Sequence, residues 1–241
     1  MAYEFEYMNC VDSLLHQVAD TNQEQINKLA RMFADNIEQD KLIHTFGTGH
    51  SHMIGIELFA RAGGLGNVDA ILDPDVLTSN GAQRSCALEK VSGIADVLFD
   101  NYHIEKGDIM IITSNSGRNA MPVEMAMRCQ KEGVYVVAVT SLQASKSAPS
   151  RHASGKHLYE CADMVIDNCV PAGDSLVEYG GLKTGPGSTI ASVFVMDTVV
   201  AEAIKMLTSE GKKPPVFQSQ NVDGFNNDYI YSHYGSRIKH Y

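Results

Sequence analysis

The chain has no paired cysteines, no long apolar run and no excess of positive charge, and each absence excludes a class of protein. Its five cysteines form no CxxC pair, so we expect reduced thiols in a cytoplasm rather than a disulfide framework or a zinc site. No run approaches the roughly 20 apolar residues of a membrane helix, and residues 1–15 lack the features of a signal peptide. The net charge of −10 argues against nucleic acid as the main partner. These absences predict a cytoplasmic protein with no membrane and no nucleic-acid partner.

The remaining composition favours a folded domain that begins with helix. The 241 residues are 44% hydrophobic, which is enough for a buried core that needs no stabilising cross-links. Apolar residues recur at gaps of three and four from about Tyr3 to Asp40, with no proline. This segment is predicted to be one long helix or a hairpin of two helices.

Two strand-loop-helix units follow. The apolar run 42–46 predicts a strand that ends at Gly47, and Ser51 is placed to cap a helix running to about residue 62. In the second unit, residues 108–112 predict a strand and residues 121–131 a helix, with a polar loop between them.

Later segments repeat this alternation. Residues 134–140 and 164–166 predict strands, and residues 188–207 predict a long helix that stops near Gly211. Short strands that are apolar on both faces require a parallel sheet covered by helices on both sides. The predicted fold class is therefore α/β, as a three-layer sandwich with an N-terminal helical extension.

The second loop is suited to an anion. Ligands in an open parallel sheet lie outside the carboxyl ends of the strands, where loops meet helix N-termini. Hydroxyl and amide side chains concentrate in this loop, with a glycine that permits close backbone approach. These residues predict a phosphate cradle that needs no metal, although an ordinary capping loop would use the same residue types. The cradle residues are Thr113, Ser114, Ser116, Gly117 and Asn119.

A nucleotide fits the loops less well than a sugar phosphate. The segment GTGHSH at residues 47–52 approaches the dinucleotide fingerprint, but His52 occupies the position of its third glycine. No G-x-x-x-x-G-K-[ST] motif occurs anywhere in the chain. We therefore expect no cofactor, and an oxidoreductase that uses a nicotinamide cofactor is the weaker alternative.

These loops resemble a known signature. The segment TSNSGRNAMPVEMAMRCQKEGVYVVAVTS is similar to the phosphosugar-binding motif of the SIS (sugar isomerase) domain family, and GTGHS resembles that family's other phosphate-side loop. The chain is most similar to stand-alone members near phosphoheptose isomerase and N-acetylmuramic acid 6-phosphate etherase. The resemblance implies a five-stranded parallel sheet, a sugar phosphate bound at the strand ends, and homodimers or homotetramers that share sites between subunits.

The resemblance also implies boundaries and site residues. We expect a helical extension (1–40), a phosphosugar-binding domain (41–210) and a tail that packs on the domain or on a neighbouring subunit (211–241). The implied phosphate ligands are Ser51, Ser114, Ser116 and Asn119, assisted by Thr113 and by the backbone of Gly117 and Arg118. The threonine usual in this loop is replaced at Arg118-Asn119. Candidate sugar contacts are Gly49, His52, Ser188 and Thr189, of which the last two are equally suited to capping a helix.

Three residues are candidates for acid-base chemistry, which moves a proton between adjacent carbons or expels a leaving group. Glu57 lies in an apolar stretch where burial would raise its pKa, but Arg61 is placed to form an ion pair with it. Glu178 follows the fourth predicted strand and is otherwise a solvated loop carboxylate. His50 adjoins Ser51 and is suited to polarising a carbonyl.

The predicted function is that of a cofactor-free isomerase or lyase for a phosphorylated sugar, with amino sugars included. The alternative is a module that senses a sugar phosphate without converting it. The sequence leaves open which of the three candidates is the base.

Overall fold

The computed structural model describes residues 4–241, so the predicted helix start at Tyr3 lies outside the described residues. Eight α-helices are present in the described part of the chain: α1 Glu6–Glu38, α2 Met53–Leu58, α3 Ala82–Leu88, α4 Ile94–Asp100, α5 Ala120–Glu132, α6 Leu142–Lys146, α7 Ser188–Ser209 and α8 Asp228–Tyr234. The strands are β1 Ile43–Gly47, β2 Val68–Ala70, β3 Ile109–Thr113, β4 Tyr135–Thr140, β5 Met164–Asp167, β6 Val177–Tyr179 and β7 Leu182–Thr184. No described helix is long and apolar enough to span a membrane.

The first five strands form one parallel sheet in the order β2-β1-β3-β4-β5. Side chains alternate between its two faces, as the pleat requires. On one face Ile111 and Val137 pack under α1 and α7, and on the other face Ile112 and Val136 pack under α4 and α5. The predicted α/β fold with a five-stranded parallel sheet is confirmed.

The N-terminal segment is one helix of 33 residues rather than a hairpin. Val18, Leu29 and Phe33 are fully buried in the core, where α1 packs along α7. Asn22 lies beside the free edge of β5: its Nδ2 donates to the carbonyl of Asp167 (2.8 Å), and its Oδ1 accepts from the Asp167 N–H (2.9 Å). The side chain of Asn22 therefore takes the place of a sixth strand at this point.

The C-terminal tail covers the opposite edge of the sheet. Leu65, just before β2, forms an antiparallel bridge with Val216, and Gly66 N–H donates to the carbonyl of Pro215 (2.6 Å). Beyond this bridge the tail contributes to a small apolar cluster that consists of Leu42, Phe217, Ile230, Tyr234 and Ile238. The division of the chain at residues 40 and 210 stays a prediction.

A buried charge cluster joins three neighbouring strands. His44 is fully buried between two carboxyl groups: its Nε2 lies 3.1 Å from Asp108 Oδ2, and its Nδ1 lies 3.4 Å from Asp69 Oδ2. Burial lowers the pKa of His44, but the hydrogen bond with Asp108 and the nearby charge of Asp69 raise it, and the net pKa lies above the ordinary value. Burial raises the pKa of Asp108, but its bonds with His44 and with the Glu105 N–H leave it below the usual range. The two carboxyl groups therefore favour the protonated form of His44.

Two local predictions were wrong. Ser51 caps no helix, because residues Gly49–His52 form a 3-10 turn and the α-helix starts only at Met53. That helix ends at Leu58 rather than near residue 62, since Phe59 is extended and Ala60 has a φ of 49°. The predictions also missed the strands β2, β6 and β7 and the helices α3, α4, α6 and α8.

Candidate ligand-binding site

The loops after β1 and β3 lie side by side because these two strands are neighbours in the parallel sheet. The first loop folds tightly back over the end of β1. A Cβ at Gly47 would lie 2.5 Å from the carbonyl oxygen of Ser51, so only glycine fits there. This turn places Ser51 at the wall of a polar pocket between the two loops.

The second loop, residues 114–119, is held in place from outside. Three successive carbonyls of the loop accept hydrogen bonds from the segment that follows β4, which leaves the loop little freedom to change shape. Gly117 has a φ of 56°, and a Cβ there would lie 2.9 Å from Ser145 Oγ. The bonds are Ser145 Oγ to Ser116 O (2.7 Å), Leu158 N to Gly117 O (2.8 Å) and Arg151 N to Arg118 O (2.7 Å).

Hydrogen bonds within the loop complete its shape. Gly117 N–H donates to Ser114 Oγ (3.2 Å), and Ser114 N–H donates to the carbonyl of Val139 (3.0 Å). The loop then enters α5, whose first turn contains no acidic residue. In that turn the Met121 N–H donates to the carbonyl of Glu89 (3.1 Å) and Pro122 has no N–H, so the turn offers an anion its helix dipole and few free N–H groups.

A small polar pocket opens between the two loops and the start of α7. All eight residues that line it are uncharged. Asn168, which is buried, donates from its Nδ2 to Asn115 Oδ1 (3.0 Å). Because its oxygen is occupied, Asn115 is oriented to offer its own Nδ2 donors. The lining residues are Ser51, Ile54, Thr113, Asn115, Asn168, Ser188, Thr189 and Ser192.

The start of α7 is capped from within the protein. Asp174 accepts from the N–H groups of Gly187 (2.9 Å) and Ser188 (2.8 Å), and its other oxygen accepts from Ser188 Oγ (2.7 Å). The hydroxyl of Ser188 is thus engaged in capping, and Thr189 lines the pocket beside it.

Glu89 contacts both loops. One of its carboxylate oxygens accepts from Thr48 Oγ1 (2.9 Å) and the other from Asn119 Nδ2 (2.8 Å). Asn119 Oδ1 in turn accepts from a guanidinium N–H of Arg151 (2.9 Å). A chain of hydrogen bonds therefore runs from Arg151 to the first loop and places a carboxylate at the edge of the cradle.

None of the three candidates for acid-base chemistry lines this pocket, although His50 adjoins Ser51, which does. Glu57 forms an ion pair with Arg61, which lies beyond the end of α2. Glu178 is exposed on the β6–β7 hairpin, opposite Lys183. His50 is exposed beside Ser51.

Among the predicted sugar contacts, His52 is buried, and its Nδ1 contacts the carbonyl oxygen of Gly49. The ring of His52 and the carbonyl of Gly49 therefore stabilise the first loop. Thr113 and Thr189 both reach the pocket. Within residues 4–241, no group of three or more His, Cys, Asp or Glu side chains could hold a metal ion.

Four site residues were missed from the sequence. Asn168 and Asn115 had a signal, because each follows a buried strand of the parallel sheet at the edge where ligands bind. Ser192 lies one turn into α7, beyond the positions at the helix start where Ser188 and Thr189 were predicted. Glu89 had no signal, since its contacts arise only when an irregular segment folds across α5.

Comparison with known proteins identifies the family. The model of the SIS domain matches residues 6–141, more than half of the chain. The chain belongs to the SIS domain family. A UPF0309 protein of Halalkalibacterium halodurans is 37% identical to this SIS protein over 236 residues, which cover 96% of this chain and 94% of the relative. A UPF0309 protein of Caldanaerobacter subterraneus subsp. tengcongensis is 38% identical over 241 residues, covering 97% and 98%.

Solved structures share the SIS fold. The phosphoheptose isomerase of Neisseria gonorrhoeae aligns with a TM-score of 0.53 at 13% identity, over 80% of this chain and 92% of that one. A phosphoheptose isomerase from Francisella tularensis aligns with a TM-score of 0.53 at 13% identity, over 83% and 95%. At such identities the likeness establishes the fold of this SIS protein alone.

Proposed function

We propose that this SIS protein binds a phosphorylated sugar at the carboxyl edge of its sheet. The observation that supports this most directly is the uncharged pocket between the first loop, the second loop and α7. Hydroxyl and amide groups are the partners that ring hydroxyls require. A phosphate fits the adjoining loop 114–119, where hydroxyl side chains meet the N-terminus of α5.

The finer proposal is turnover, as an isomerase or a lyase that uses acid-base chemistry. Glu89 is the best placed carboxylate, because it contacts Thr48 in the first loop and Asn119 in the second. A base at this position would face a sugar whose phosphate lies on the second loop. His50, exposed next to Ser51, is the candidate acid.

A second candidate function is binding without conversion. It is favoured by the absence of any charged or titratable side chain among the residues that line the pocket. A sensor needs only complementary hydrogen bonds, whereas an isomerase needs a base within reach of the carbon that loses its proton.

The test combines a thermal-shift screen with NMR of each ligand that stabilises the protein. The probes are sugar 6-phosphates, their N-acetylamino derivatives, heptulose 7-phosphate and the same sugars without phosphate. A ligand at 100 times its dissociation constant adds about 2.7 kcal/mol to the free energy of unfolding. Stabilisation by phosphosugars alone supports binding, and no stabilisation by any of them contradicts it.

Conversion separates the two candidates. If wild type converts a stabilising phosphosugar, Glu89→Gln should bind it but lose roughly 100-fold or more in kcat, because a positioned base contributes 10²–10⁴-fold. Glu24→Gln, a change at an exposed carboxylate on α1, is the matched control and should keep its activity. Binding with no conversion by wild type would favour the sensor.

Assembly into a homodimer or homotetramer belongs to the same proposal. Met53, Ile56 and Ile190, near the first loop and the start of α7, expose 36% to 45% of their surface. Apolar side chains on two such elements favour contact with another protein surface. Sedimentation equilibrium across a range of concentrations tests this, and a monomer at all of them would contradict it.

A further inference from the structure

A basic segment lies against the proposed phosphate loop. Residues 146–156 contain three Lys or Arg and no Asp or Glu, in a chain whose net charge is −10. This segment supplies one of the three donors that hold the carbonyls of the loop, the N–H of Arg151, and the other two, from Ser145 and Leu158, flank it. The positive charge is thus attached to the loop rather than distributed over a remote surface.

Arg151 is the member of this segment nearest to the cradle. Its guanidinium donates to Asn119 Oδ1 (2.9 Å), the last residue of the loop before α5. Arg151 itself is exposed, and within residues 4–241 its side chain forms no ion pair with a carboxylate. Its one partner is a neutral amide, which binds a guanidinium less strongly than a phosphate does.

The carboxylate of Glu89 would repel a phosphate bound at the loop 114–119, and a nearby cation would offset this repulsion. This carboxylate lies 2.8 Å from Asn119 Nδ2, so a phosphate on the loop would be close to a negative charge. The hydroxyl and amide donors of the loop are uncharged and leave this repulsion in place, and Arg118 is the loop's one cationic residue. A guanidinium one hydrogen bond away, at Arg151, offsets it.

We propose that Arg151 is a phosphate-binding residue of this site, and that its guanidinium leaves Asn119 Oδ1 to contact the phosphate of the ligand. This inference rests on the proposed binding of a sugar phosphate at the second loop. It adds a second guanidinium to a segment that contains Arg118 besides hydroxyls, amides and backbone N–H groups. The ligand class it favours is a dianionic phosphate monoester.

The test measures dissociation constants by calorimetry for two probes, inorganic phosphate and glucose 6-phosphate, with glucose as the uncharged comparison. Arg151→Gln should weaken binding of both phosphates by about 10- to 100-fold, as expected for a hydrogen bond to a charged group. Arg151→Lys should restore part of that affinity. Lys131→Gln is the matched control, since it removes the same charge from the far end of α5 and should bind like wild type.

A double-mutant cycle with Asn119→Ala distinguishes direct contact from positioning. If Arg151 contacts phosphate, Arg151→Gln weakens binding in the Asn119→Ala background as well. Loss of the effect in that background would overturn the inference, because Arg151 would then act only by orienting Asn119. Equal affinity of Arg151→Gln and wild type would also overturn it while leaving the proposed function intact. A wild-type protein that binds neither phosphate probe would overturn both.

Discussion

His44 shows how one residue couples stability to pH. Its imidazole lies between two carboxyl groups, one on β2 and one just before β3, and all three side chains are buried. Removing one partner from a buried charge cluster costs about 3–5 kcal/mol. His44 is therefore a structural residue on the sheet face that α4 and α5 cover.

The raised pKa of His44 predicts a loss of stability at alkaline pH. A group whose pKa is raised on folding contributes its full stabilisation below its unfolded pKa, near 6.5, and loses it as pH rises through the folded pKa. The free energy of unfolding, measured with urea, should therefore fall from neutral pH upward. His44→Gln should be less stable at pH 7 and should lack the part of this decline that is due to His44.

The lowered pKa of Asp108 acts at the other end of the scale. Its contribution is complete above the unfolded pKa, near 3.8, and is lost as pH falls through the folded pKa.

The prediction for His44 at alkaline pH has its own contradicting outcome. Parallel curves of the free energy of unfolding against pH, for wild type and His44→Gln between pH 7 and 10, would contradict the assignment to His44.

Gly117 is a second residue with a specific cost of replacement. A side chain at a φ of 56° costs about 1–2 kcal/mol, and a Cβ there would also press against Ser145 Oγ at 2.9 Å. Gly117→Ala should therefore destabilise the protein more than Gly155→Ala, whose φ is 73° but whose Cβ would meet nothing within 4 Å.

Equilibrium unfolding in urea compares the two variants, and calorimetry with glucose 6-phosphate adds a functional measurement. Gly117→Ala should also weaken binding, because the loop would move. Equal stability and equal binding in both variants would show that the contact with Ser145 has no importance.

At the scale of elements, Asn22 on α1 replaces a missing strand partner for β5. Asn22→Ala leaves the N–H and carbonyl of Asp167 without their side-chain partners. Because an unsatisfied buried backbone group costs about 1–3 kcal/mol, we expect a loss of that size in the free energy of unfolding. Asn27→Ala, an exposed asparagine on the same helix, is the control and should change stability by less than about 0.5 kcal/mol. Equal losses would mean that the bond with Asp167 contributes little.

The sequence predicted those elements whose pattern is local. The strands β1, β3, β4 and β5 are apolar runs, and α1, α5 and α7 have helical periodicity, so both signals are visible without tertiary information. β2 was missed because it has three residues, with Asp69 in the middle, and that charge is buried only because His44 lies opposite.

The same limit applies to the candidate site. The two loops follow strands whose order is implied by a parallel sheet, so Ser51 and Thr113 could be assigned to one edge from the sequence. The proximity of Glu89 to Asn119 depends on the path of residues 71–93, which no local pattern fixes.

On the scale of the whole molecule, the tail protects the β2 edge. Ile238 is 2% exposed, and Tyr241 donates from its hydroxyl to the carbonyl of Gly66 (2.9 Å). Deleting residues 237–241 removes this packing and should cost about 2–5 kcal/mol, the range for loss of a large buried side chain.

Hydrogen exchange followed by mass spectrometry locates the effect of this deletion. Amide exchange should accelerate most in residues 63–70, beneath the tail, and little in β4. Ser236→Ala, an exposed change beside the deletion, is the control. Uniform acceleration over the whole sheet would indicate global destabilisation rather than loss of a local cover.

The contact between α1 and α7 joins the first helix of the chain to the last long one. Tyr7 reaches Pro186, and Arg31 reaches Glu210, over 179 residues in each case. During synthesis the apolar face of α1 therefore stays uncovered until α7 has left the ribosome. The chain is synthesised at about 5–20 residues per second. Such non-local closure slows folding, so the apolar face of α1 stays uncovered in the nascent chain for about 10–40 seconds, a period in which exposed hydrophobic surface favours aggregation.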